Sequence, residues 1–386
     1  MLKIDQIEIM PLDTLPALKR VLPTGPIPYG ENNLVGRSVL VAVRAGGITG
    51  WGQMRPVNPF QGETAYSMVA ALRDFYAPFV VGRDALDRTA IFRDCWRRLP
   101  ANPAALAPLD MALHDLAGRA LGVPVHALLG GKCRDRIPLE WSVGQADADT
   151  MVAEAEQVMA DYAPAYVCFK VGPVERLNTD VDILHRVHDA VGDRARLALD
   201  ANGALEARDA IRLARRLEDL DLAYFEQPVP QHSIDGLRDV RAKTTVPVMA
   251  DESIYSPADA ARVLAAGAAD VACIKLYKAG GLWRGRQIAT VAESMGYDVN
   301  SAGTANGSHL EALAAAHLNV SIPNHAFGAE FAMGLPQVAA DEIAPDAVLD
   351  IIDGEATAPD RPGLGAEIDE AAVARLAIER ILVKAA

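Results

Sequence analysis

Cysteine is scarce in this chain, and its placement excludes more than its number. Cys95, Cys133, Cys168 and Cys273 are the only four in 386 residues and share no paired spacing, so neither a disulfide framework nor a zinc site organises the fold. A reducing cytoplasm is the expected compartment. Long hydrophobic runs are also missing: Gly, Asp or Arg interrupts every apolar stretch before the about 18 residues a membrane helix requires. The opening MLKIDQIEIMPL lacks a charged leader followed by an apolar segment, so no secretory signal is expected. Basic residues are outnumbered, 37 Lys and Arg against 51 Asp and Glu, for a net charge of −14. That balance argues against nucleic acid or an anionic membrane as partner. A small carboxylate substrate stays compatible with it, because a bound metal reverses the local field.

What is present is ordinary for a globular protein, with 51% apolar and 23% charged residues, and the length suits two domains or a barrel with an added domain. Residues 2–10 and 38–46 alternate apolar and polar and predict antiparallel strands with one wet face. LPTGPIPYGENN (22–33) between them predicts a loop, and helical periodicity starts near Glu63. Pro103 to Leu121 predicts an amphipathic helix that stops at Gly122. From Ile137 the pattern becomes alternating strand and helix, with strands near 138–143, 165–171, 196–200, 222–226, 247–250, 271–275, 297–301 and 325–330. Eight strands in this span predict a (β/α) barrel. A glycine-rich phosphate fingerprint does not follow the first of them, which lowers a dinucleotide-binding alternative. LGAEIDEAAVARLAIERI (364–381) predicts a terminal helix in a tail that returns to the first domain from about 350.

Charges end these apolar runs at an even interval. Lys170, Asp200, Glu226, Asp251 and Lys275 are separated by 30, 26, 25 and 24 residues and close AYVCFK, ARLALD, LAYFE, VPVMAD and VACIK. A buried parallel strand that ends in one charge delivers it to the rim where barrel active sites lie. Three carboxylates from successive strands offer hard oxygen ligands suited to Mg²⁺, and Mn²⁺ would also fit. A lysine on either side of such a cation can remove a proton α to a carboxylate, because metal charge and burial both lower an ammonium pKa. The competing reading is a ring of rim salt bridges with structural lysines. Lys278, three residues beyond Lys275, is expected to be structural.

These segments, with LDMALHDLAGRALGVPVHALLGG (109–131), FKVG (169–172), LDANGA (199–204), FEQP (225–228), ADES (250–253) and IKLYKAGG (274–281), resemble the enolase superfamily and specifically the muconate lactonizing enzyme subgroup of its mandelate racemase/muconate lactonizing enzyme family. The resemblance implies an α/β modified TIM barrel, (β/α)7β, over 131–350, with an N-terminal α+β capping domain over 1–130 completed by 351–386. It implies Asp200, Glu226 and Asp251 as Mg²⁺ ligands, Asn202 as their support, Lys170 and Lys275 as bases, and a homo-oligomer. Cap loops near 20–33 and 50–60 would set specificity.

Three positions depart from the group's usual pattern: Cys168 stands where a lysine is expected beside Lys170, Gly307 where an acid is expected after strand seven, and Gln53 after Gly50-Trp51-Gly52 where a glutamate is expected. Cys168 shares a strand face with Lys170, so it is expected to point into the site among the substrate-binding residues, as a small neutral filler. Glu330 in FGAEFAM falls where related amino-acid and dipeptide epimerases hold a substrate ammonium, and Tyr29 and Trp141 offer aromatic walls to a cation. The expected activity is Mg²⁺-dependent α-proton abstraction from a small amino acid, such as a proline or hydroxyproline derivative, giving epimerisation or dehydration. Alternatives are a muconate-type cycloisomerase and a dipeptide epimerase. An acid-sugar dehydratase would need a His-Asp pair, and His309 is the nearest histidine after strand seven. A non-catalytic binding barrel would not need a lysine on each face.

Overall fold

The computed structural model describes residues 1–15, 19–27, 34–57, 60, 62–301, 307–331 and 341–385. An antiparallel sheet opens the chain, formed by β1 (Ile4–Pro11), β2 (Val39–Ala45) and β3 (Ile48–Met54). Against it lies α1 (Pro103–Leu121), which starts on a proline, as the first helical turn allows, and stops at Gly122 with φ 70°. Glu63 accepts from the Ala104 and Ala105 amides at 2.9 and 3.1 Å and so covers the helix start. The helix crosses β3 so closely that a Cβ at Gly50 would lie 2.2 Å from Ala112 O and one at Gly52 2.1 Å from Pro108 O. Only glycine permits that approach. Because α1 covers the sheet, β2 is buried along nearly its whole length and has no wet face, contrary to its alternating sequence.

The barrel comprises β4 (Ile137–Val143), β5 (Tyr166–Lys170), β6 (Arg196–Asp200), β7 (Phe225–Glu226), β8 (Val248–Ala250), β9 (Val271–Ile274), β10 (Asp298–Ser301) and β11 (Ala329–Glu330). Neighbours from β4 to β10 pair in parallel, and β11 pairs with β4, in the order of a (β/α)7β barrel. The remaining seam, β10 to β11, carries a parallel bridge Val299↔His325 and Asn300 Nδ2 donating to Gly328 O at 2.6 Å. A helix follows each of the first seven strands: α2 (Ala148–Asp161), α3 (Leu177–Val191), α4 (Ala207–Arg216), α5 (Ile234–Lys243), α6 (Pro257–Ala265), α7 (Leu282–Ser294, preceded by a single turn at Leu276–Ala279) and α8 (His309–Val320). Among the described residues no helix is long and apolar enough to cross a membrane.

Two aspartates of α1 join the parts. Asp110 accepts from Leu282 N at 2.5 Å, capping α7, while Gly281 at φ 104° leaves no room for a Cβ, which would sit 2.5 Å from the Asp110 side chain. Asp115 accepts from Trp51 N at 2.9 Å and from Leu364 N at 2.8 Å. Four local expectations change. Residues 50–54 belong to β3 rather than a loop, and Val21–Leu22 pairs with Gly25–Pro26 in a small hairpin that overlaps the start of 22–33. His309 opens α8, its Nδ1 against Ala344 O at 3.1 Å, rather than lying in a loop. The tail forms only a short helix α9 (Glu370–Leu376), because the exposed edge of β1 captures Ile381–Lys384 as a fourth strand. Before that, β12 (Asp350–Ile352) and β13 (Glu355–Thr357) form a hairpin on β4 of the barrel.

Candidate active site

Strand pleating builds the site in two layers. Side chains two apart share a face, so beneath Lys170, Asp200, Glu226, Asp251 and Lys275 lie Cys168, Ala198, Tyr224, Met249 and Cys273. These five belong to a separate buried cluster inside the barrel, completed by Ala223 and Val271. The charged layer rests on an apolar floor. Cys168 therefore faces the interior as expected, but one layer below the mouth, and burial pushes its thiol well above the ordinary range. A buried thiol kept protonated there is consistent with a neutral filler.

In the upper layer every charge has a partner. Lys170 Nζ bonds Asp200 Oδ2. Lys275 Nζ reaches Asp251 Oδ2 at 2.7 Å and Glu226 Oε1 at 3.2 Å. Lys278 Nζ bonds the Asp251 carboxylate and donates to Asp251 O at 2.6 Å and Cys273 O at 3.2 Å, with its side chain 1% exposed. Burial works against both Lys170 and Lys275, but Asp200 with Glu226 outweighs it at the first and Asp251 with Glu226 at the second, holding both pKa values up. Burial, then Asp200, pushes Glu226 well up, whereas Asp251 is held low because Lys275 and Lys278 outweigh its burial.

A polar residue follows each acid: Asn202, already a candidate support, and Gln227 and Glu252, which the sequence reading passed over. Asn202, at φ 43°, donates its amide to Asp200 Oδ1 at 2.7 Å and its side chain to Asp200 Oδ2 at 3.1 Å and Glu252 Oε1 at 3.0 Å. Gln227, at φ 33°, accepts from the amides of Asp251 at 3.0 Å and Ser253 at 3.2 Å. Non-glycine residues in the left-handed region carry strain that surrounding bonds must hold. Glu252 is pushed up to about 8 by burial and by Asp251 and Asp200. Their signal in the sequence was adjacency to the strand-end acids.

The donor set fits a hard divalent cation. Asp200 and Glu226 are register neighbours on β6 and β7, and the buried Asn202 Oδ1 and Glu252 Oε2 beside them have no hydrogen-bond partner. Glu226, Asp251 and Cys273 also bring donor atoms within 4.8 Å of one another. The Cys273 thiol belongs to the floor and burial keeps it protonated, so Asp200 is the better third oxygen donor for Mg²⁺.

Specificity candidates divide. Glu330 stands beside Glu140 in the β11–β4 register, and Glu140, which the sequence reading did not single out, is pushed up to about 8, first by burial. Trp141 does not line the mouth. It sits one residue beyond Glu140, on the outer face of β4, where Nε1 donates to Glu154 of α2 at 2.8 Å and its ring stacks on Tyr162. Arg20, from the cap, lies over the same ring at 5.2 Å. Tyr29 lies outside the described residues. Gly307 is buried just before α8, and Gln53 is buried in β3 with Nε2 donating to Ser38 Oγ at 3.0 Å.

Comparison with known proteins agrees with this architecture. The sequence model for "Enolase C-terminal domain-like" matches residues 150–372, and that for "Mandelate racemase / muconate lactonizing enzyme, N-terminal domain" matches 34–130. Muconate cycloisomerase 1 of Rhodococcus opacus is 32% identical over 87% of this chain and 89% of its own. The L-Lys-D/L-Arg epimerase of Methylococcus capsulatus is 34% identical over 74% of this chain and 80% of its own. Among solved structures, N-succinyl Arg/Lys racemase from Bacillus cereus superposes with a TM-score of 0.89 at 25% identity, covering 99% of this chain and 100% of that one. The chain belongs to the enolase superfamily, within its mandelate racemase/muconate lactonizing enzyme family, and is an enzyme.

Proposed function

We propose that the enzyme removes the α-proton of a small amino-acid carboxylate, of proline or hydroxyproline type, and returns a proton to the opposite face or expels a β-hydroxyl. The observation that carries this reading is the placement of Lys170 and Lys275 on barrel strands two and six, each ion-paired to the acids between them. Enzymes of the superfamily are generally Mg²⁺-dependent, and Asp200, Glu226 and Asp251 would hold the cation. When bound, it supplies the positive charge that neutralises these acids and stabilises an enediolate.

One lysine, as the neutral amine, takes the α-proton and becomes an ammonium. The other, as an ammonium, gives its proton to the opposite face of the same carbon for epimerisation, or to a departing β-hydroxyl for dehydration. The apolar floor under them excludes water from beneath, and Asn202 and Gln227 orient the acids. Glu330 would hold the substrate ammonium. The cap, 1–130 with 351–386, would close over the 131–350 barrel, and the working form would be a homo-oligomer.

A cycloisomerase reading draws on the muconate relatives. A muconate-type diacid would bring one more carboxylate into a mouth that already holds Glu140 and Glu330, and like charges at that separation repel. A dipeptide epimerase shares the ammonium and stays the nearer alternative. The test is α-carbon deuterium uptake in D₂O, with Mg²⁺, over proline analogues, dipeptides, muconates and acid sugars. Exchange into a cyclic amino acid is expected, while exchange only into a dipeptide, or turnover of muconate alone, would replace the substrate assignment.

A further inference from the structure

We propose that Glu140 and Glu330 act together as a two-carboxylate subsite for the substrate's ammonium, shaped for a secondary amine in a ring. The inference rests on the amino-acid reading above and adds Glu140 as a specificity-determining residue. Glu330 pairs with Glu140, and Ala329 with Leu139, across the parallel β11–β4 ladder. Neighbours in register lie about 4.8 Å apart and present their side chains to the same face. That face is the interior one, because Ser142, two residues on, pairs with Cys168 of the floor.

Both carboxylates lack the lysine partner that Asp200, Glu226 and Asp251 possess. Glu140 is 8% exposed, and its Oε2 has no hydrogen-bond partner. Glu330 Oε1 is likewise buried without one. Among the described residues no Lys, Arg or His lies within ion-pair distance of either, whereas Asp200, Glu226 and Asp251 each have a lysine. The charges acting on the pair do so through space: Lys275 and Lys170 on Glu140, and Arg20, Lys170 and Lys275 on Glu330, with the Tyr224 hydroxyl beside Glu140. Burial, the first cause at each, raises both carboxyl pKa values by disfavouring the charged form, and a cation placed between them would favour ionisation again.

Two adjacent buried acids with no counter-ion are costly unless a ligand supplies one. A secondary ammonium brings one positive charge and two N–H donors, one for each carboxylate. A quaternary ammonium brings the charge without donors, and an acylated amine brings no charge.

The test is calorimetric titration of the Mg²⁺-loaded full chain with proline and with tetrahydrofuran-2-carboxylate, the same ring with oxygen in place of NH₂⁺. Wild type should bind proline about tenfold or more tightly than the oxygen analogue, and Glu140→Gln should erase most of that preference. Equal or unmeasurable affinity for the two compounds in wild type, or an undiminished preference in Glu140→Gln, overturns the proposal. Should Glu140→Gln not fold, judged by thermal unfolding, Glu330→Gln takes its place with the same expected outcome. Deuterium exchange on the same samples separates the two readings. Exchange of N-acyl amino acids with no preference for proline sinks the subsite and leaves the reaction, whereas a proline preference with no exchange of any carboxylate sinks the reaction and leaves the subsite.

Discussion

The two sides of the barrel mouth treat buried charge in opposite ways. From strand two to strand six, each of the three strand-end acids meets a lysine: Lys170 with Asp200, Lys275 with Glu226 and Asp251, and Lys278 with Asp251. Across strands eight and one, Glu330 and Glu140 are register neighbours with buried, unpartnered oxygens. The first side is internally balanced and can persist without substrate. The second is balanced only when something positive arrives. Chemistry shared by a family needs the balanced half, because it must be assembled before any substrate enters. Selectivity belongs to the unbalanced half, where the ligand completes the charge.

The strongest way to break this division is to remove the bases. Lys170→Ala and Lys275→Ala should each lower turnover by about 10²–10⁴-fold, the usual worth of a positioned acid–base group. Each variant alone should also keep or lose α-deuterium exchange differently for the two enantiomers of one substrate, because each lysine serves one face. Full turnover in both would show that the lysines only neutralise the acids. Next in size is Lys278→Met, which leaves the Asp251 and Cys273 carbonyls without their shared donor. Removing one member of a buried ion pair costs about 3–5 kcal/mol, so the unfolding midpoint should fall strongly. Lys275 would still hold Asp251, so a folded Lys278→Met enzyme should retain most of its kcat. A loss of kcat without a loss of stability would move Lys278 from support to chemistry.

The balanced half was legible in the sequence for a physical reason. Each parallel strand is a short apolar run, and its closing charge, as in CFK, ALD and YFE, marks both the strand end and the active face. Period two then places Cys168 and Cys273 beneath the lysines. The other half was harder to read. IPLEWSV offers Glu140 and Trp141 on opposite faces, and the sequence does not say which face is inside. That depends on register with β5, where Ser142 meets Cys168. The larger, aromatic residue suits a wall by type, although the interior position goes to the acid. The terminal strand Ile381–Lys384 was missed similarly, since its role depends on the open edge of β1, more than 360 residues away in the chain. Local pattern reveals what a segment can form, and partners decide what it does form.

The smallest predicted effect sharpens the comparison at one peptide bond. Trp141→Phe removes the indole N–H that donates to Glu154 at 2.8 Å while keeping an aromatic ring against Tyr162. A single part-buried hydrogen bond to a charged acceptor is worth about 1.5–3 kcal/mol at most. Glu154 also keeps Arg20 at 2.6 Å, so a loss nearer about 1 kcal/mol is expected. The substitution should shift the unfolding midpoint by a few degrees and leave KM and the proline preference unchanged, whereas Glu140→Gln should alter the preference. If Trp141→Phe instead raised KM tenfold with stability intact, the outer face of strand one would be contributing to specificity. The cap residue Arg20, which touches both Trp141 and Glu154 and acts through space on Glu330, would then be the route by which it does so.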